Sequence, residues 1–140
     1  MTKILVVDDE QAFLDSVVIR LNMEGYREVT AVADPLLVPD LAERESFDLA
    51  LLDVVMPGMN GMELLAIIKE KSPETECVMV TANDGIKDVI RAVKLGAYDY
   101  IVKPFSPDDL KRSMDKALEH GRMAAAGTSC THTPLSCTGR

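Results

Sequence analysis

Tryptophan is absent, and three Phe and three Tyr bring aromatics to only 4% of the 140-residue chain. Apolar residues still make up 47%, enough for one packed core that Val, Ile, Leu and Met must fill. Positive charge is in deficit: 15 Lys and Arg face 23 Asp and Glu, a formal net charge of −8. Phosphates repel such a surface, which opposes direct, non-specific nucleic-acid binding but not a basic protein partner or a divalent metal. Cysteine is scarce and odd in number, and Cys77, Cys130 and Cys137 follow no disulfide spacing. A reducing, cytoplasmic setting is the natural expectation. Long apolar runs are missing as well. None approaches the roughly 20 residues that span a bilayer. The N-terminal run ends at Asp8-Asp9, too early for a signal peptide. The final Cys137-Thr138-Gly139-Arg140 lacks the aliphatic positions of a prenylation signal.

What the chain does contain is alternation. Residues 4–7 form a short continuous apolar run, as in a strand buried on both faces. Phe13, Val17 and Leu21 then recur at helical spacing, and Gly25 stops that helix. Residues 27–32 read as a second strand. Asp34-Pro35 is an N-cap followed by a first-turn proline, but Pro39 comes a turn later and predicts a kinked or late-starting helix. Residues 47–52 make a third strand that ends at Asp53. A Gly/Pro-punctuated loop leads from Val54 to a third helix, with Leu64, Leu65, Ile67 and Ile68 inward. Residues 77–80 and 98–102 read as the fourth and fifth strands. Between them Ile86, Val89, Ile90 and Val93 mark a helix that Gly96 closes. Ser106-Pro107-Asp108-Asp109 opens the last helix, whose apolar face is Leu110, Met114, Ala117 and Leu118. Five strands alternating with five helices predict an α/β domain with a doubly wound parallel sheet over residues 1–120. From Gly121 to residue 140 the Ser/Thr-rich composition predicts a flexible tail.

In a parallel sheet all strands end at one edge, and ligands bind beyond that edge. Asp8-Asp9 ends the first strand, Asp53 the third, Thr81-Ala82 the fourth and Lys103-Pro104 the fifth. Three converging carboxylates raise at least one pKa unless a cation intervenes. Mg²⁺ suits oxygen ligands and is commonly held by one or two carboxylates plus phosphate oxygens. A carboxylate can also attack phosphorus as a nucleophile, and phosphoryl transfer otherwise asks mainly for positioning and charge stabilisation. Lys103 and Thr81 are suited to meet the phosphoryl oxygens, and Ala82 leaves them room.

Four segments carry a specific resemblance: Val6-Val7-Asp8-Asp9-Glu10, Leu52-Asp53 through Gly61, Val80-Thr81-Ala82, and Tyr98 through Lys103-Pro104-Phe105. Together they resemble the receiver domain of two-component response regulators over about residues 2 to 120. The resemblance implies a flavodoxin-like sheet in the order 2-1-3-4-5. It implies that a histidine kinase or phosphotransfer protein phosphorylates Asp53. It further implies that Asp9, Asp53 and the backbone carbonyl of Val55 bind Mg²⁺ directly, with Asp8 acting mainly through water. Lys103 would pair with the phosphorylated aspartate, and Thr81 and Tyr100 would turn inward as switch residues. They would signal through the fourth helix, fifth strand and fifth helix to a downstream protein or an output domain outside this chain. A cis bond at Lys103–Pro104 is implied as well. Val55 and Asn83 stand at positions thought to tune phosphoryl lifetime. The chain would then be no conventional enzyme, catalysing only its own aspartyl phosphorylation and dephosphorylation. The resemblance leaves open a phosphorylation-linked homodimer.

Each residue also has a plainer reading. Asp8-Asp9 alone is a helix N-cap pair, Asp53 a turn former, Thr81 a strand-end hydroxyl and Lys103 a solvated lysine. Cys77 is a small buried hydrophobe. Cys130, His132 and Cys137 lack the frame of a zinc site. A small-molecule phosphatase would need a second acid two residues after Asp53, where the chain has Val55. A phosphorylation-independent interaction domain is the third reading, and the complete set of site residues speaks against it.

Overall fold

The alternation is realised in the computed structural model, which describes residues 2–82 and 85–125. In chain order the elements are β1 (Lys3–Val7), α1 (Gln11–Met23), β2 (Glu28–Val32), a 3-10 turn (Pro35–Leu37) running into α2 (Val38–Arg44), and β3 (Leu49–Leu52). Then follow α3 (Gly61–Lys71), β4 (Glu76–Thr81), α4 (Ile86–Lys94), β5 (Asp99–Val102) and α5 (Pro107–Ala125). The five strands form one parallel sheet in the order β2-β1-β3-β4-β5, as expected. The winding reverses between β1 and β3, which makes their carboxyl ends the switch point of the sheet.

The two-residue period of the strands sorts the core into two layers. Leu5, Val7, Ala50, Leu52, Cys77 and Met79 face one side, where Val38, Leu64, Leu65, Ile68 and Ala92 of α2, α3 and α4 cover them. Ile4, Val6, Leu49, Leu51, Val78 and Val80 face the other, under Leu14, Val17 and Leu21 of α1 and Leu110, Met114, Ala117 and Leu118 of α5. β1, β3 and β4 are thus buried on both faces, which explains their unbroken apolar runs. Burial pushes the Cys77 thiol up to about 12, so it behaves as a small hydrophobe.

Local signals explain most boundaries. Gly25, at φ +98°, takes the left-handed conformation that ends α1. Asp34 Oδ1 accepts from the Leu36 N–H at 3.0 Å and caps the 3-10 turn, so α2 starts late, with Pro39 in its first turn. Lys103–Pro104 is cis, as the resemblance implied.

Other features differ from the expectation. Phe47 lies outside the third strand, which begins at Leu49, yet it remains buried in the layer under α2 and α3. The apolar stripe of α4 turns outward: Ile86 is 70% exposed and Ile90 49%, while Ala92 is the residue buried. Helical periodicity located that helix, but the docking of Ala92 onto the sheet decides which face is covered. The last helix passes Gly121 and runs to Ala125. Its end is anchored where His120 Nδ1 meets Glu76 Oε2 at 2.9 Å, with the Tyr98 ring 5.3 Å from the imidazole. Asn83, and the rest of the Ser/Thr-rich tail with Cys130, His132 and Cys137, lie outside the described residues.

Candidate functional site

The strand ladders continue past the strands and place the polar residues. Asp8 N–H donates to Val32 O at 3.2 Å, Asp53 N–H to Val7 O at 3.1 Å and Lys103 N–H to Thr81 O at 2.8 Å. The backbone thereby fixes Asp8, Asp53 and Lys103 at one edge, where the sequence expected them. Asp8, Asp53 and Thr81 are buried, and Asp9 is exposed at the mouth.

Each buried group has partners. Lys103 Nζ lies 2.6 Å from Asp8 Oδ2 and 3.8 Å from Asp53 Oδ2. Asp8 Oδ1 accepts from the Glu10 N–H at 2.9 Å, and Asp53 Oδ1 from the Val55 N–H at 3.3 Å. The Thr81 hydroxyl hydrogen-bonds the Asp53 carboxylate. Burial pushes the Asp53 carboxyl above its ordinary range and repulsion from Asp8 adds to this, while Thr81, Lys103 and the Val55 N–H pull the other way. Crowding of carboxylates was the reason foreseen from sequence; burial is the larger cause.

The loop after Asp53 closes back onto it. Asn60 Oδ1 accepts from the Met62 N–H at 2.7 Å and caps α3, while Gly61 N–H donates to Val54 O at 2.8 Å. A Cβ on Gly61 would lie 1.8 Å from Asp53 O. Only glycine lets the start of α3 back so closely onto the Asp53 peptide. Tyr100 sits on the strand leading to Lys103, opposite Met79, partly buried against the layer under α2, α3 and α4.

Two aromatic residues adjoin Lys103: Phe105, already part of the Lys103-Pro104-Phe105 segment, and Phe13, which sequence reasoning did not place at the site. The Phe13 ring centroid lies 3.9 Å from Lys103 Nζ. Phe105 meets Phe13 in a T-shaped contact, with centroids 6.2 Å apart and planes at 85°. Phe13 carried only a helical-face signal, and its partners lie about 90 residues further along the chain.

Asp8, Asp9 and Asp53 each offer an oxygen, all within 4.8 Å of one another. Against these three carboxylates stands the Lys103 ammonium, which leaves two formal negative charges uncompensated. A hard divalent cation fits this all-oxygen donor set and its charge. The arrangement therefore joins three carboxylates that suit a cation, one of them the buried Asp53, with a hydroxyl donor and an ammonium.

A family model described as the response regulator receiver domain matches residues 4–115. The alginate biosynthesis transcriptional regulatory protein AlgB of Pseudomonas aeruginosa is 38% identical over 123 residues, covering 88% of this chain and 27% of that one. The chain thus spans about a quarter of that relative's length. A CheY-like response regulator receiver domain protein from Methanospirillum hungatei JF-1 superposes with a TM-score of 0.84 at 35% identity, covering 89% of this chain and 98% of that one. The beryllofluoride-activated NtrC4 receiver domain dimer superposes with a TM-score of 0.81 at 30% identity, covering 86% and 99%.

Proposed function

The chain belongs to the response regulator receiver family, and from that premise we propose that Asp53 is its phosphoacceptor. The observation that carries this reading is the Asp53 carboxylate itself: buried at the sheet edge, hydrogen-bonded by Thr81, and reached by Lys103 at 3.8 Å. In the step proposed, an Asp53 oxygen attacks the phosphorus of a phosphohistidine on a histidine kinase or phosphotransfer protein. The P–N bond breaks, the imidazole leaves as the neutral base after taking up a proton, and an acyl phosphate forms on Asp53. Asp9, Asp53 and the Val55 carbonyl would hold Mg²⁺, with Asp8 acting through water. That ion, when bound, supplies positive charge for the phosphoryl oxygens. Lys103 then shifts from Asp8 toward the phosphorylated Asp53, and Thr81 turns its hydroxyl to a phosphoryl oxygen. The chain catalyses only this phosphorylation and the later hydrolysis of the acyl phosphate, in which water takes the phosphoryl group as inorganic phosphate and frees the Asp53 carboxylate.

The output is a population shift. Thr81 leaves space as it moves, and Tyr100 follows inward. These changes alter the face made by α4, β5 and α5, where Ile86, Ile90, Val93 and Val102 are exposed. A downstream protein, an output domain or a second copy would read that face; NtrC4 supplies a relative with a receiver dimer. The reading puts the protein in the cytoplasm, where phosphohistidine donors are made.

The test is incubation with acetyl phosphate and Mg²⁺, read by intact mass. The chain is expected to gain about 80 Da, one phosphoryl group, and to lose the gain in Asp53→Asn or in EDTA. A gain that persists in Asp53→Asn would assign the acceptor elsewhere. No gain from acetyl phosphate or from a phosphorylated histidine kinase would favour a phosphorylation-independent interaction domain.

A further inference from the structure

The Lys103 ammonium has contacts of two kinds. Two are carboxylates, Asp8 at 2.6 Å and Asp53 at 3.8 Å. The third is the Phe13 ring, with its centroid 3.9 Å from Nζ. That distance is well inside the range over which an aromatic quadrupole attracts a cation. The Lys103 side chain is only 19% exposed, so water screens the contact little.

Both partners of the contact are pinned. Phe13 lies in the first turn of α1, and its N–H donates to Glu10 O at 3.1 Å. Glu10 is itself tied to Asp8 Oδ1 through its own N–H. Ring and carboxylate therefore ride on one short stretch of backbone. Phe105, just beyond the cis Lys103–Pro104 bond, packs against the ring from about 90 residues further along the chain. Lysine is otherwise a strongly hydrated point charge on a flexible stem, free to leave a site for solvent.

We propose that Phe13 is a positioning residue: its ring holds the Lys103 ammonium within reach of both Asp8 and Asp53. The inference rests on the phosphoacceptor reading above and deepens it. During the transfer Lys103 must exchange Asp8 for the group on Asp53. The ring contact involves neither carboxylate, so it persists through the exchange and shortens the search. Plain packing would ask only for bulk at position 13, which leucine supplies. Positioning asks for a ring rich in π density.

The test uses the full chain with Phe13→Leu, Phe13→Tyr and 3,4,5-trifluorophenylalanine at position 13, since fluorine keeps the ring and removes its negative face. Acetyl phosphate uptake is measured against donor and Mg²⁺ concentration. The leucine and trifluoro variants are expected to lose about three- to tenfold in maximal rate, with the Mg²⁺ midpoint unchanged and Tyr restoring the parent rate. Separately, ring current is expected to move the Lys103 Hε resonances upfield in the parent and not in Phe13→Leu. Parent rates in both the leucine and trifluoro variants would reduce Phe13 to packing and overturn the inference. So would Lys103 resonances that do not differ between parent and Phe13→Leu. If the resonances shift as expected but the parent itself takes up no phosphoryl group, the phosphoacceptor reading has failed and takes the inference with it.

Discussion

At the scale of single residues, the burial that suits Asp53 to the proposed role costs stability. A carboxylic acid whose folded pKa lies above its unfolded value keeps its proton better in the folded state, so ionisation favours unfolding. The penalty is absent well below the unfolded value of about 3.9, grows as pH rises from there toward the raised folded value, and is complete above that folded value. Asp53→Asn in EDTA is therefore expected to be more stable at pH 7, by something on the order of 1 kcal/mol. Lys103 loses only its longer contact there and keeps Asp8 at 2.6 Å. Thermal melts at several pH values check this: the advantage should shrink toward zero below about pH 4. An aspartate parent as stable as the variant at pH 7 would show that burial carries no penalty. Asp8, Asp9, Asp53, Thr81 and Lys103 were legible in the sequence because each ends a strand, and parallel strands end together. Phe13 was not, because its meaning comes from Lys103, and no local pattern links residues so far apart.

At the scale of elements, α5 shows how much a helix depends on its two ends. Its start was legible: Asp109 N–H donates to Ser106 Oγ at 3.1 Å, and Ser106 N–H to Asp109 Oδ2 at 3.3 Å. The Ser106 N–H holds the Asp109 carboxyl below its ordinary range, so this cap loosens only as pH falls through that lowered value. Its end was not legible, because Glu76 lies in β4 and nothing in the local sequence around His120 points there. His120→Ala is expected to leave the buried Glu76 carboxylate without that partner and to lower stability by about 1–3 kcal/mol. A urea midpoint that falls at constant slope would record the loss, and adding Glu76→Gln should recover part of it. Phosphoryl uptake at Asp53 should be unchanged, because Glu76 begins the strand that Thr81 ends. Helix α4 makes the complementary point. Its period was readable, but its covered face depends on how Ala92 meets the sheet, and only packing settles that.

At the scale of the whole molecule, α1 and α5 cover one face of the sheet and α2, α3 and α4 the other, and α4 carries Ile86, Ile90 and Val93 exposed on its outer side. The carboxylate edge and that exposed stripe meet through β5, which carries Tyr100 and leads to Lys103. The doubly wound order was legible from alternating apolar runs, since buried parallel strands need no polar face. Cys77 sits in the middle of this architecture, fully buried with its thiol near 12, and so lends the protein a covalent clock. Alkylating reagents consume thiolates they can touch, and this one becomes touchable only when the sheet comes apart. With Cys130 and Cys137 replaced by serine, iodoacetamide should modify the chain at a rate set by the opened fraction alone. That rate should slow when Mg²⁺ binds and stabilises the fold, so a mass spectrum of a crude lysate would time unfolding without any purification.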